Sequence, residues 1–241
     1  MNIHEPQLAW FLWSLLFLAA WFVAYALVRS KEGRREMLVV SLWTSLTGLT
    51  EPFFVPYYWN PPSLFDLAHR TGFDIESFIF AFAVGGLVVV LYERIFRTAH
   101  KNIATHERMS ARHRFHIISI SATPVLFLLL VVFAPINPIY SAVIAMTAGG
   151  LAAWYCRPDL KTKMLVSALL FLGFYAVFFW VLIASYPGYV AQVWNLNAIS
   201  GILILGIPLE ELLFAVSFGF VWSSLYEHFT WKKISNSHIY I

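Results

Sequence analysis

Seven stretches of this chain, at about 8–28, 37–55, 75–95, 115–134, 138–156, 164–186 and 201–227, stay apolar over roughly the 20 residues a helix needs to cross a bilayer. A chain so patterned has few folds open to it. Backbone N–H and C=O groups find no water in hydrocarbon, so only helices or closed barrels satisfy them all, and each stretch is read as a helix. Composition agrees: 60% of the 241 residues are hydrophobic, 12% are charged and mean hydropathy is +0.70, too little polar surface to clothe a water-soluble domain. These values exclude a soluble enzyme, a disordered chain and, despite a pI near 9.0, a nucleic-acid binder. Met1 to Gln7 carry Glu5 and no Lys or Arg, so the first segment is expected to remain as a span rather than be cleaved as a signal peptide.

The basic residues fix an expected orientation. Arg29 to Arg35, Arg94 to Arg114, Arg157 to Lys163 and Lys232-Lys233 follow the first, third, fifth and seventh segments, and together hold 15 of the 16 Lys and Arg. Only Arg70 falls on the other side. Positive charge marks the cytoplasmic face, which puts the N-terminus outside the cell membrane and the C-terminus in the cytoplasm.

The chain also repeats itself. Residues 72–96 and 206–230, shifted by 134, are identical at eight of 25 positions, including Glu76/Glu210, Phe80/Phe214, Gly85/Gly219 and Glu93/Glu227. Upstream, Trp59-Asn60 is echoed by Trp194-Asn195 after a one-residue gap. The expected fold is an all-α integral membrane protein: two parallel three-helix repeats joined by a linking helix, a 3+1+3 plan with its site at the repeat interface. The units are 1–96, the first repeat; 97–137, a basic cytoplasmic loop and the linking helix; 138–230, the second repeat; and 231–241, a cytoplasmic tail.

Few residues can carry chemistry. Glu51, Glu76, Glu210 and Glu211 fall inside apolar segments, at a cost of roughly 2.5–3.5 kcal/mol for an ionised group at mid-bilayer. No Lys or Arg lies within a span to pair with them, so some should be neutral acids, the form a general acid requires. Structural interhelical hydrogen bonds are the competing account. Glu76 and Glu210, being repeated, are the first candidates; Glu211 points about 100° away from Glu210, and Glu51 precedes Pro52 near a helix end. Phe80 and Phe214 share a face with Glu76 and Glu210 and suit a carbocation, although ordinary packing also explains them. Trp59 and Trp194 fit an interfacial belt, while Asn60 and Asn195 could hydrogen-bond a glutamate. Glu93 and Glu227 read as solvated helix ends. Glycines 85/86 and 149/150 read as sites of close helix packing.

Several chemistries lack their residues. Cys156 is the single cysteine, which leaves no internal disulfide and no thiolate metal cluster, and His113 with His116 at the cytoplasmic edge is a weak metal signal. All six lysines fall in expected loops or the tail, leaving none for a buried Schiff base. No GxGxxG follows a strand pattern, so no dinucleotide site, and no cofactor or metal, is expected.

Residues 56–65, PYYWNPPSLF, followed by GFDIESFIFAFAVGG, resemble the first half of the small integral-membrane lycopene cyclase domain family, and GIPLEELLF at 206–214 resembles the Pro-x-Glu-Glu-x-x-Phe motif of its second half. The two-copy layout is similar to the fused form of that family. Ser77 stands where an acid is common, and Ala215 replaces a second Phe. The resemblance implies redox-neutral cyclisation of a lycopene ψ end to a β-ionone ring through a carbocation, without a flavin. It matches Glu210 and Glu211 to the family's paired acids and Glu76 to its first-half acid. The implied partners are a lipophilic isoprenoid and the bilayer. A terpene cyclase acting on another isoprenoid, a small-solute transporter of 3+1+3 plan and a silent partner subunit are the other readings.

Overall fold

The computed structural model describes residues 6–236; the stretch with Glu5 and the last five residues of the expected tail lie outside the described residues. Among the described residues, six helices are long and apolar enough to cross a membrane: Leu8–Leu27, Ile75–Phe96, Ala111–Phe133, Pro138–Cys156, Pro158–Ser185 and Leu209–Thr230. The protein is all-helical and multi-pass.

Local sequence sets the helix ends. After α1 (Pro6–Leu27), α2 (Lys31–Ser45) opens on Ser30, whose hydroxyl oxygen accepts the Gly33 N–H at 3.0 Å. Asp74 opens α3 (Ile75–Phe96) by accepting the Ser77 N–H at 2.5 Å. α4 (His116–Phe133) precedes α5 (Pro138–Cys156), which starts on Asn137 and stops before Arg157-Pro158, since a residue preceding proline is pushed out of helical geometry. α6 (Lys161–Ser185) follows, and α7 (Leu209–Trp222) and α8 (Leu225–Thr230) make one span parted at Ser223-Ser224.

Two expected spans differ in construction. The stretch expected as a helix over 37–55 keeps α geometry only to Ser45, tightens to 3-10 from Leu46 to Thr50, and regains one α turn from Glu51 to Phe54. The hydroxyls of Thr47 and Thr50 donate to carbonyls three residues back, at 2.7 and 2.6 Å, and compete with regular helix bonds. The span expected over 201–227 begins instead as a hairpin, Leu203–Ile204 against Ile207–Pro208, with Leu205 and Gly206 at positive φ in its turn. Its helix starts only after Pro208.

α3 is held between α1 and α2, α7 between α5 and α6, and α3 touches α6 across the middle. α4 packs chiefly on α5 and buries few residues of its own. Strand β1 (Thr98–Asn102) and the C-terminal strand Lys232–Asn236 pair antiparallel, with His100 opposite Ile234. The expected loop and tail are thus zipped together. At the other end Trp59 and Trp194 form an antiparallel bridge.

Close helix contact rests on glycine. A Cβ on Gly85 would collide with Thr44, and one on Gly86 with Ser41 and Trp21, which are hydrogen-bonded to each other at 2.8 Å. Gly86→Val is expected to lower stability by about 1–3 kcal/mol through overpacking. Gly173→Ala, in open space, should leave it unchanged or slightly higher. Thermal unfolding in detergent distinguishes the two.

Candidate active site

A cavity of about 820 Å³ runs between the broken helix 31–54 and α3, α4, α5 and α7. Its wall extends along the last span from Glu211 to Thr230, roughly 25–30 Å at helical rise. Trp10, Trp13, Trp59, Trp194, Phe80 and Phe214 line it, and two carboxyl-bearing residues do, Glu51 and Glu211. Few polar groups in a large apolar pocket is the usual composition of a small-molecule site.

Glu211 stands in the first turn of α7 and is 6% exposed. Its Oε1 accepts the Tyr58 hydroxyl at 2.6 Å and the Trp194 indole N–H at 2.8 Å, while Oε2 accepts the Tyr175 hydroxyl at 2.6 Å. Burial, with the adjacent Glu211 charge, holds the Tyr58 phenol well above its ordinary range, so it acts as a donor. Glu51 is 7% exposed and its Oε1 has no hydrogen-bond partner; Ser77 and Trp59 are its polar neighbours. The aromatic face continues between the two halves. Tyr175 lies 6.3 Å from Phe80 and 6.0 Å from Phe214, ring centre to ring centre.

Glu76 and Glu210 do not line this cavity. Glu76 Oε1 accepts the Leu64 N–H at 2.7 Å; Glu210 Oε1 accepts the Tyr140 hydroxyl at 2.7 Å and the Ser200 N–H at 2.9 Å. Each acid therefore ties down a loop at its helix start. Trp59 and Trp194 pack 5.5 Å apart beneath those loops. Asn60 N–H donates to Val193 O at 2.8 Å and Asn195 N–H to Tyr58 O at 2.9 Å, so the asparagines join the loops through backbone. Their side chains are exposed, and the Asn195 amide donates to the Tyr57 carbonyl rather than to a glutamate. Asp74 belongs to the same layer and was missed. Burial raises its pKa, offset in part by the Ser77 N–H and hydroxyl and by the Trp10 indole.

At the opposite end lies a buried ionic cluster. Lys163, in the first turn of α6, is not a loop lysine: its Nζ donates to Glu227 at 2.5 Å, Glu93 at 2.7 Å and Glu36 at 3.3 Å. His100 Nε2 sits 3.0 Å from Glu227, 3.1 Å from Glu93 and 3.6 Å from Glu36. Glu93 and Glu227 are thus not solvated helix ends; Glu227 is fully buried. A signal for this was present in the sequence. Glu36-Met37-Leu38-Val39 and Lys163-Met164-Leu165-Val166 share three residues behind an acid in one case and a base in the other.

Residues 137–229 match the family model described as lycopene cyclase. That stretch, less than half of the chain, is similar to a lycopene cyclase domain. It contains Glu210, Glu211 and Phe214, and Glu51 lies outside it. The match supports a carotenoid-cyclising enzyme in a membrane context with a lipophilic carotenoid substrate. No curated protein and no solved structure matches the chain.

Removing the ammonium leaves three carboxyls in a dry site to His100 alone, so Lys163→Met should cost about 3–5 kcal/mol, read by thermal unfolding in detergent. A pH effect follows from His100. Burial alone would lower its pKa, but hydrogen bonds with Glu227 and Glu93 and the charge of Glu36 outweigh that and lift it from 6.5 to about 10. A raised folded pKa gives stability that is complete below the unfolded value and lost as pH climbs through the folded one. Melting temperature should therefore fall between about pH 6.5 and 10, and His100→Gln should flatten that slope.

Proposed function

We propose that the protein closes a ψ end of a linear carotenoid, lycopene or a close relative, into a β-ionone ring. One observation carries this: a long apolar cavity bearing two carboxyls in unlike surroundings at its outer end. Glu51, short of donors in an apolar wall, is the carboxylic acid that protonates the terminal alkene. The neighbouring double bond attacks the resulting cation and closes the ring. Tyr175, Phe80 and Phe214 present π faces to the positive charge, and Glu211, held by three donors, is the carboxylate that faces it. Loss of a ring proton to Glu211 restores neutrality. One proton enters and one leaves, so the product is an isomer of the substrate and no electron carrier is consumed. Proton exchange between the two carboxyls and water then resets the site.

The architecture proposed with this is the two-copy 3+1+3 plan, with the broken helix 31–54 as a seventh crossing, the N-terminus outside the cell membrane and the C-terminus in the cytoplasm. Antiparallel pairing of corresponding residues supports it, since a two-fold axis along the membrane normal brings each residue against its own counterpart. Trp59 meets Trp194 at one end, and His100 meets Ile234, its partner at the shift of 134, at the other. Between them Glu93 and Glu227 converge on Lys163.

Expression in a lycopene-accumulating bacterium, with pigments separated by chromatography, tests the reaction. Wild type should yield monocyclic or bicyclic product. Glu51→Gln and Glu211→Gln should each cut it about 10²–10⁴-fold, the range for a lost acid or base. Glu76→Gln and Glu210→Gln, whose amide oxygens still accept the loop N–H groups, should cut it far less. The opposite ranking would move the chemistry to the loop-tying pair, and unchanged pigment with intact wild type would refute the reaction.

A further inference from the structure

Outside the cavity, three metal-capable side chains meet where α4 begins and α5 ends. His113 lies in the 3-10 turn Ala111–Phe115, and His116 is the first residue of α4, so a spacing of three sets both imidazoles on one side. Cys156 is the last residue of α5. Its Sγ lies 3.4 Å from Nδ1 of His116 and 3.5 Å from Nδ1 of His113. Donors on one tetrahedral zinc, with bonds of about 2.3 Å to sulfur and about 2.0 Å to nitrogen, stand about 3.5 Å apart. The sulfur thus already stands at coordination spacing from both imidazoles, and all three donor atoms lie within 4.8 Å of one another.

A second feature concerns the tautomer. His116 Nε2 faces the backbone carbonyl of His228 at 3.1 Å, which keeps its proton on Nε2 and leaves the Nδ1 lone pair facing the thiol. A carbonyl on the far ring nitrogen is the outer hydrogen bond that orients metal-binding histidines. Trp231 closes the site from one side, its ring stacked on His116 at 4.0 Å, and Cys156 is fully buried.

We propose that His113, His116 and Cys156 bind one zinc(II) ion through two Nδ1 atoms and a thiolate, with water in the fourth position. On binding, the Cys156 proton leaves to solvent as the sulfur–metal bond forms, and nothing is oxidised or reduced. Imidazole and thiolate donors select zinc over magnesium or calcium, which take oxygen. Arg157 does not repel the ion strongly, because its guanidinium is spent on Asp159 at 2.8 and 2.7 Å. The neighbouring acidic cluster does not compete, since Lys163 already sits among its carboxylates. The ion fastens α4 to the lycopene cyclase-like stretch. Because α4 contributes Ile120, Thr123 and Phe127 to the cavity, it also fixes one wall of the substrate site.

Purified full-length protein in detergent, stripped with a chelator, is titrated with cobalt(II) as a spectroscopic substitute for zinc. One equivalent should bind, with a thiolate-to-cobalt charge-transfer band in the near ultraviolet and visible ligand-field bands, all erased by zinc. Cys156→Ser should remove the ultraviolet band. His113→Gln, at a half-exposed position that asks little of the fold, should weaken zinc at least about tenfold and abolish the rise in melting temperature that zinc gives wild type. Stripped wild type with no cobalt spectrum, or a spectrum that both substitutions leave unchanged, overturns the site. None of these readouts depends on ring formation.

Discussion

Inside a lipid-embedded bundle a polar group has only the rest of the protein to bond to, and this fold is organised around that scarcity. At one end Glu76 and Glu210 each spend one oxygen on a loop N–H group, and Asp74 caps α3. At the other, Glu36, Glu93 and Glu227 share Lys163 and His100. Against this thrift the cavity carboxyls stand out in different ways. Glu211 is oversupplied with donors, whereas Glu51 has only Ser77 and Trp59 beside it. An acid with few donors in a dry wall holds its proton, which suits it to the proposed proton chemistry.

The aromatic residues give that chemistry its container. Trp59 and Trp194 meet where their two loops bridge, so the backbone pairing that closes this end also roofs the cavity. Beneath them Phe80, Tyr175 and Phe214 come from three different helices. Their arrangement depends on α6, whose Tyr175 reaches Phe80 of α3 on one side and Phe214 of α7 on the other. The small residues set the flanking contacts: Gly85 and Gly86 let α3 sit close against α2 and α1, and Gly219 lets α7 sit close against α6.

The helical class, six span positions and the repeated Trp-Asn of two loops were legible in the sequence because hydropathy and repeated residues report them directly; that those loops pair was not. Span 37–55 misled because apolarity says nothing of pitch, and threonine hydroxyls that loosen a helix count as nearly neutral there. The glutamates were harder to rank. Repetition favoured Glu76 and Glu210, yet residues repeated at a loop junction are retained equally well by loop anchoring, and the 100° turn between Glu210 and Glu211 decides which one faces the cavity. Lys163 was hidden by its position one residue before an apolar run, where a charge normally reaches water. Only the fold reveals that three acids arrive there from α2, α3 and α8.

Lys163 and Glu36 occupy corresponding places, base on one side and acid on the other. Two copies of residues 1–96 assembled face to face would crowd Glu36 and Glu93 in duplicate around an axis with no ammonium to neutralise them. Two copies of the later half would instead match a pair of Lys163 with a pair of Glu227. Under the proposed two-fold plan, pairing unlike halves sets a base against acids where pairing two earlier halves would set acids against acids, so the charge at this end favours the partnership found within one chain.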